Sequence, residues 1–163
     1  LSLALSQPFA REFANPRQML PYTYASSALT PYPLRDRAFK AGAACGAAMI
    51  NTRLADGTFL LDRAGKGFTL LLFARHAPDK ALMAVLEAMR ARDPDFTLIT
   101  IAAHGAKLDE AIDDPGGAIA RVHDAKAGAM ILLRPDQHVA GRWKHPAPDE
   151  VRTTFTACLG RAA

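Results

Sequence analysis

The sequence predicts an α/β domain: a central mixed sheet of four to five strands flanked by helices, preceded by an extended, proline-rich arm. Three observations predict it. Nearly continuous apolar runs stand at 68–74, 96–103 and 129–133, the pattern of short strands buried on both faces. Between the first two runs, Leu82, Val85, Leu86 and Met89 fall at helical spacing, one stripe turned toward a core. Five of the eleven prolines (Pro8, Pro16, Pro21, Pro31 and Pro33) crowd into the first 40 residues.

Proline lacks an amide donor and constrains the residue before it, so residues 1–40 are expected to hold no long helix or central strand. One short helical turn is expected near Pro8–Phe13. Residues 1–40 therefore read as an arm or linker from a preceding domain that lies on another surface, and residues 41–163 as the folded domain. In that domain Asp56-Gly57 signals a turn, Phe59–Asp62 a short strand and Gly65-Lys66-Gly67 the next turn. Phe68–Ala74 follows as a strand. Pro78 suits the first position of a helix and Asp79 its positive end, Arg90 and Arg92 suit the other end, and Pro94 stops it. Phe96–Ala103 is the next strand. Asp114-Pro115-Gly116-Gly117 breaks the chain before a short helix at Ala118–His123. Ala129–Leu133 is a further strand, Pro135-Asp136 begins a turn, and Val139–Trp143 returns antiparallel. The last helix starts at Pro148-Asp149-Glu150, with Val151, Phe155, Cys158 and Leu159 on one face. A β-α-β unit followed by β-β-α is the arrangement of a thioredoxin-like domain.

Length and composition narrow the function classes. The chain has 163 residues, half of them apolar and 22% charged, enough for one real core and not for two large ones. No apolar run has the length needed to cross a bilayer. The net charge is +4 and the isoelectric point about 9.3. Lysines and arginines are interspersed with acids and no four basic residues are consecutive, so no nucleic-acid stripe is expected. Leu1–Leu5 lacks the basic start of a signal peptide, and the chain is expected to be the cut end of a longer polypeptide. Two cysteines, Cys45 and Cys158, form no CxxC, which suits a reducing, cytoplasmic setting.

Candidate chemistry is sparse. A redox-active thioredoxin carries its nucleophilic thiol just after a central strand, at a helix N-terminus. The matching stretch here, Ala74-Arg75-His76-Ala77-Pro78, has no cysteine. Ala127-Gly128-Ala129, before the third buried strand, lacks the proline that thioredoxins place there. Dithiol exchange is excluded. An alternative, a small thiol redox protein of the thioredoxin or peroxiredoxin class, requires Cys45 to be exposed and acidic. Another alternative is a standalone binding module that uses the face near His76. His76, His104, His123, His138 and His145 form no HxH, HxxxH or HExxH, so no metal ligands are assigned. Neither Gly65-Lys66-Gly67 nor Gly116-Gly117 completes a phosphate-binding loop, and no GxSxG occurs. No catalytic or cofactor-binding residue is assigned. The most patterned polar element is Arg134-Pro135-Asp136. Its structural reading pairs Arg134 with Asp136 or a loop carbonyl while Pro135-Asp136 sets the turn. Its functional reading is anion binding by Arg134.

The segment from Leu132 to Trp143 (LLRPDQHVAGRW) resembles the RPDxHVAxR signature of phenol-hydroxylase-type, FAD-dependent aromatic monooxygenases, with Arg134, Pro135, Asp136, His138, Val139 and Arg142 as its members. Residues 54–71 (LADGTFLLD, then Gly65, Gly67-Phe68 and Leu70-Leu71) resemble that family's L-x-D-G…L-D…G-x-G-F-x-L-L stretch. Tyr24, Ser27 and Leu29 resemble its Tyr-x-x-Ser-x-Leu element. The resemblance implies a thioredoxin-like C-terminal domain that supports structure or subunit contacts. No cofactor is implied in this chain. FAD and NAD(P)H are implied for a parent that hydroxylates a phenolic ring. The implied partners are the preceding FAD and substrate domain of the same polypeptide and a second copy in a homodimer, with no nucleic acid and no membrane. Two positions depart from the family pattern: the stretch from Cys45 to Met49 has none of the usual prolines, and Gly141 stands where a larger residue is common.

Overall fold

The structure is a computed structural model that describes residues 22–25, 27–31, 37–103 and 106–160. The expected turn at Pro8–Phe13 and the side chain of His104 lie outside the described residues. Five strands, β1 (Thr69–Ala74), β2 (Thr97–Ala102), β3 (Ile112–Asp113), β4 (Met130–Leu133) and β5 (Val139–Trp143), form one sheet in the order β3-β2-β1-β4-β5. β1 pairs in parallel with β2, and β2 with β3, whereas β4 runs antiparallel to both β1 and β5. Three helices, α1 (Lys80–Arg90), α2 (Ala118–Val122) and α3 (Pro148–Cys158), flank it. This mixed α/β sheet is consistent with a thioredoxin-like fold, as the sequence predicts. No helix among the described residues is long and apolar enough to cross a membrane.

The central place of β1 comes from its side chains. All six of its residues are buried, and successive side chains leave a strand on opposite faces. Leu70, Leu72 and Ala74 enter one core with α1 and α3, while Leu71 and Phe73 enter a second core with Leu54, Leu60 and Ile119. The first core packs Phe155 edge-on against Phe68 and Phe96. α1 contributes Leu82, Leu86 and Met89 to it, each burial stabilising by about 1.5–3 kcal/mol.

Local details differ from the expectations in physically readable ways. Asp79 is the N-cap of α1 and its carboxylate accepts from the Leu82 amide at 2.8 Å, so Pro78 stands before the helix rather than in its first turn. Phe59–Asp62 is not a strand. Phe59 bridges Arg53 alone, and Leu60–Arg63 winds into a 3-10 turn. The Asp62 carboxylate accepts from Phe59 N at 2.9 Å, and Asn51 Oδ1 accepts from Leu61 N at 3.0 Å. These side-chain acceptors hold the amides a ladder would have used. β3, two residues long, is too short to leave an apolar pattern.

β5 carries a bulge. Leu133 pairs with Val139 but Leu132 pairs with Gly141, which leaves Ala140 as the extra residue. The extra residue reverses the facing of the rest of the strand, so that Trp143 joins the α1–α3 core and Arg142 turns toward Ala41 on the other side. Gly141 is what makes this fit: a Cβ there would meet Trp143 Cη2 at 2.5 Å and Thr154 Cγ2 at 3.2 Å. Gly141→Ala is therefore expected to destabilise the fold by about 1–3 kcal/mol through overpacking, read as a lower urea midpoint at unchanged m-value. An unchanged midpoint would show that Trp143 moves aside freely.

Candidate functional site

The β4–β5 turn gathers four of the six signature residues around one ion pair. Pro135 fixes the backbone at the turn's entry, and Gln137 adopts a left-handed φ of 63°. The turn closes through Arg134 N to His138 O and Gln137 N to Arg134 O, each 2.9 Å. Arg134 donates from Nε to Asp136 Oδ1 at 3.0 Å and from Nη2 to Asp136 Oδ2, a two-pronged geometry that matches guanidinium to carboxylate. The cation is the enclosed member: its side chain is 6% exposed against 51% for Asp136. The shared hydrogen bond raises the Arg134 pKa and holds the Asp136 carboxyl below its usual range. Asp136 also accepts from His138 N at 3.2 Å, and the His138 ring contacts the Asp136 carbonyl at 3.1 Å. Arg134 Nη1 is buried with no hydrogen-bond partner among the described residues.

Onto this turn the arm docks. Val139 N donates to Ala47 O at 2.9 Å, and Gly46 N to Val139 O at 2.8 Å, so residues 46–49 run beside the start of β5. Tyr24 N then donates to Gly46 O at 2.8 Å. Gly46 has φ +85°, and a Cβ there would stand 2.6 Å from the Tyr24 carbonyl carbon. Only glycine satisfies both the turn and the close approach. The Tyr24 ring meets His138 edge-on at 5.4 Å and Tyr22 at 4.9 Å. Ser27 Oγ accepts from Leu29 N at 3.1 Å, Cys158 Sγ donates to Leu29 O at 3.5 Å, and Thr30 is buried. The arm element Tyr24, Ser27 and Leu29 and the Arg134 turn, remote in sequence, thus share one surface. Tyr22, Tyr24 and Leu29 still face outward, 72%, 44% and 44% exposed.

Arg142, the last signature residue, sits apart. Its Nη1 donates to Ala41 O at 2.7 Å and its guanidinium lies 4.4 Å from the Phe39 ring centre, a cation–π contact. Lys144 lies 4.1 Å over the same ring and pairs with Asp124 at 2.9 Å. Beneath them His123 is fully buried, with Nε2 3.0 Å from Thr52 Oγ1. Burial, aided by Arg142, pushes its pKa from 6.5 down to about 4. Sequence reading passed over His123 as a site. Its position four residues after the buried Ile119 was the available signal that it faces inward.

Cys45 is 3% and Cys158 6% exposed, and burial pushes the Cys158 thiol up to about 11. The thiol alternative needed Cys45 at the surface, and burial removes it. Carboxylates occupy the helix N-termini. Asp79 caps α1, Asp114 accepts from Ile119 N and Ala120 N at the start of α2, and Glu150 accepts from Ala147 N before α3. A dinucleotide's pyrophosphate would meet negative charge at each, where it needs free amides, so the described residues do not fit FAD. Among the described residues no three His, Cys, Asp or Glu side chains gather to hold a metal.

No protein-family model matches the chain, and no curated protein matches it by sequence. Solved structures do. Substrate-free RebC, a rebeccamycin biosynthetic enzyme, is similar at 25% identity and a TM-score of 0.59, over 97% of this chain and 26% of that one. PieE, a flavin-dependent monooxygenase solved with FAD and substrate, is 22% identical with a TM-score of 0.58, over 76% and 21%. Aklavinone-11 hydroxylase, solved with FAD and aklavinone, is 23% identical with a TM-score of 0.51, over 72% and 21%. The likeness to PieE and to aklavinone-11 hydroxylase is one of fold. PieE is a flavin-dependent monooxygenase, aklavinone-11 hydroxylase was solved with FAD and RebC with reduced flavin; the chain is consistent with a domain from such an enzyme, and it spans only about a fifth to a quarter of their length.

Two outcomes are expected from these charges. Asp136→Asn leaves Arg134 enclosed without its counter-charge; with the carboxylate half open to water, the expected loss is about 1–2 kcal/mol in chemical unfolding, and no loss would mean solvent already screens the pair. His123 gives a pH signature. The unfolded chain takes up that proton near 6.5 and the folded chain only near 4, so between these values the unfolded state binds more protons. Stability is expected to fall as pH drops, by about 2 kcal/mol between pH 7 and pH 5, and His123→Gln should flatten that slope.

Proposed function

We propose that this chain is the non-catalytic C-terminal structural domain of a flavin-dependent aromatic-ring hydroxylase. In the proposed parent, the preceding portion binds FAD and uses NAD(P)H and dioxygen to hydroxylate a phenolic substrate in the cytoplasm. Residues 1–40 are the linker from that portion, and residues 41–163 the domain that braces it and contributes to a homodimer. The observation that carries the reading is the two-sided arm. Its inner side is fixed by the Tyr24–Gly46 and Cys158–Leu29 contacts, while Tyr22, Tyr24 and Leu29 stay exposed on the outer side. Exposed aromatic and apolar side chains on a fixed backbone are what a neighbouring domain buries. The similarity to about a quarter of a flavin enzyme's length supports the same reading.

The reading frame around the codon for Leu1 tests it. An open frame upstream that encodes a strand followed by GxGxxG, and a full-length product with a bound-flavin spectrum, is the expected result. A start codon directly before Leu1 would remove the hydroxylase reading. Light scattering on the full-length product is expected to give a dimer mass, and a monomer would remove the subunit-contact part.

A further inference from the structure

The end of the sheet opposite the arm carries a second surface. Leu72 of β1 pairs with Met130 of β4, and Met130 with Trp143 of β5, at one end; Thr69, Leu133 and Val139 align at the arm's end. The length of β4 separates them, about 10 Å. At the Leu72 end two cavities of ≈ 390 and ≈ 380 Å³ share Phe73, Arg75 and Ala127 as walls. They lie side by side over these shared walls as one open trough, each open to solvent, with a lining that is mostly carbon.

The backbone of that floor is fixed. Gly128 N donates to Phe73 O at 2.7 Å, and Phe73 N to Ala129 O at 3.0 Å. Gly128 has φ +91°, and the His145 ring lies where its Cβ would be, so the His145 ring packs directly on the backbone. Around the rim stand Arg75, His76, Lys126 and His145, all exposed. Among the described residues none of these four side chains has a hydrogen-bond or ion-pair partner. Asp79 is the one acid on the walls, and its Oδ1 is engaged by Leu82 N.

We propose that this trough docks an acidic, extended segment of a separate polypeptide, with carboxylates on Arg75 and Lys126 and an apolar side chain between them. Two exposed cations, Arg75 and Lys126, without counter-charges among the described residues favour an anionic partner. Two open cavities side by side over a shared wall suit an extended chain; small-molecule sites bury most of their ligand, and neither cavity encloses one. Residues 22–25 and 27–31 are held beside Gly46 and Cys158, away from the trough, and do not fill it. This inference does not rest on the hydroxylase reading.

The test uses this chain, isotopically labelled, and the probe acetyl-Glu-Leu-Glu-Phe-Asp-Leu-Glu-amide. Saturable amide shifts are expected at Arg75, His76, Lys126–Gly128 and His145, with a Kd below about 1 mM in low salt. Arg75→Glu with Lys126→Glu, both at exposed positions, should weaken binding at least about tenfold while the spectrum stays folded. The inference is overturned by any of four results: no saturation, shifts centred on Tyr24 and Gly46, equal binding by the double variant, or equal binding of a probe with lysine for each acid. Benzoate bound as tightly as the peptide would overturn it in favour of a small carboxylate site.

Discussion

A strand that is apolar on both faces cannot be left half covered, and β1 imposes that condition on everything around it. Leu70 and Leu72 point one way and Leu71 and Phe73 the other. Each pair exposes enough apolar surface to cost several kcal/mol if wetted. One face is covered by regular helices, α1 and α3. The other is covered mostly by irregular chain, the stretch from Cys45 to Leu61, with α2 filling one corner. Irregular chain over a core must find hydrogen-bond partners for its own amides. That need explains the density of side-chain caps there: Asn51 to Leu61, Asp62 to Phe59, and Asp56 to Thr58.

The same accounting explains the Arg134 turn. β5 is an edge strand, and an edge leaves amides and carbonyls open to any passing chain. Residues 46–49 and then the arm take up that edge near Val139. Arg134, at the base of the turn, is enclosed. An enclosed guanidinium needs a carboxylate at matching geometry, and Asp136, two residues on, supplies it without a long-range partner. The spacing of Arg134, Pro135, Asp136 and His138 follows from this turn. Proline sets the turn, the aspartate neutralises the arginine and caps His138, and His138 gives Tyr24 a ring to stand on.

How much of this was legible in the sequence depends on distance along the chain. β1, α1, β2, β4 and α3 were legible because each carries an apolar run or stripe over several residues, and β5 because it returns after the Pro135-Asp136 turn. The Arg134–Asp136 contact was legible because a proline fixes residues two apart. Phe59–Asp62 misled because leucines beside a turn look like a strand until Asp62 and Asn51 take the amides. The bulge at Ala140 was hidden because one extra residue shifts facing without changing composition; Gly141, a departure from the family pattern, was its trace. Nothing local announces that Tyr24 meets Gly46 and His138, or that His123 lies under Arg142. Those contacts bridge tens of residues, and only the assembled sheet brings them together.

The two ends of the sheet divide the surface by chemistry as well as by position. At the arm's end Arg134 is matched by Asp136, and the aromatic and aliphatic side chains of Tyr22, Tyr24 and Leu29 stand exposed near them. Such a surface favours a partner that excludes water and stays, because apolar area and ring contacts are insensitive to salt. At the Leu72 end the carbon floor is ringed by unmatched cations, and such a surface favours fast, salt-sensitive encounters. The basic isoelectric point, which mixed charges along the sequence made look diffuse, thus has at least one local origin. The proposed neighbouring portion and the proposed acidic segment thus call on opposite ends of the sheet, and β1, which organises both ends, is exposed to neither.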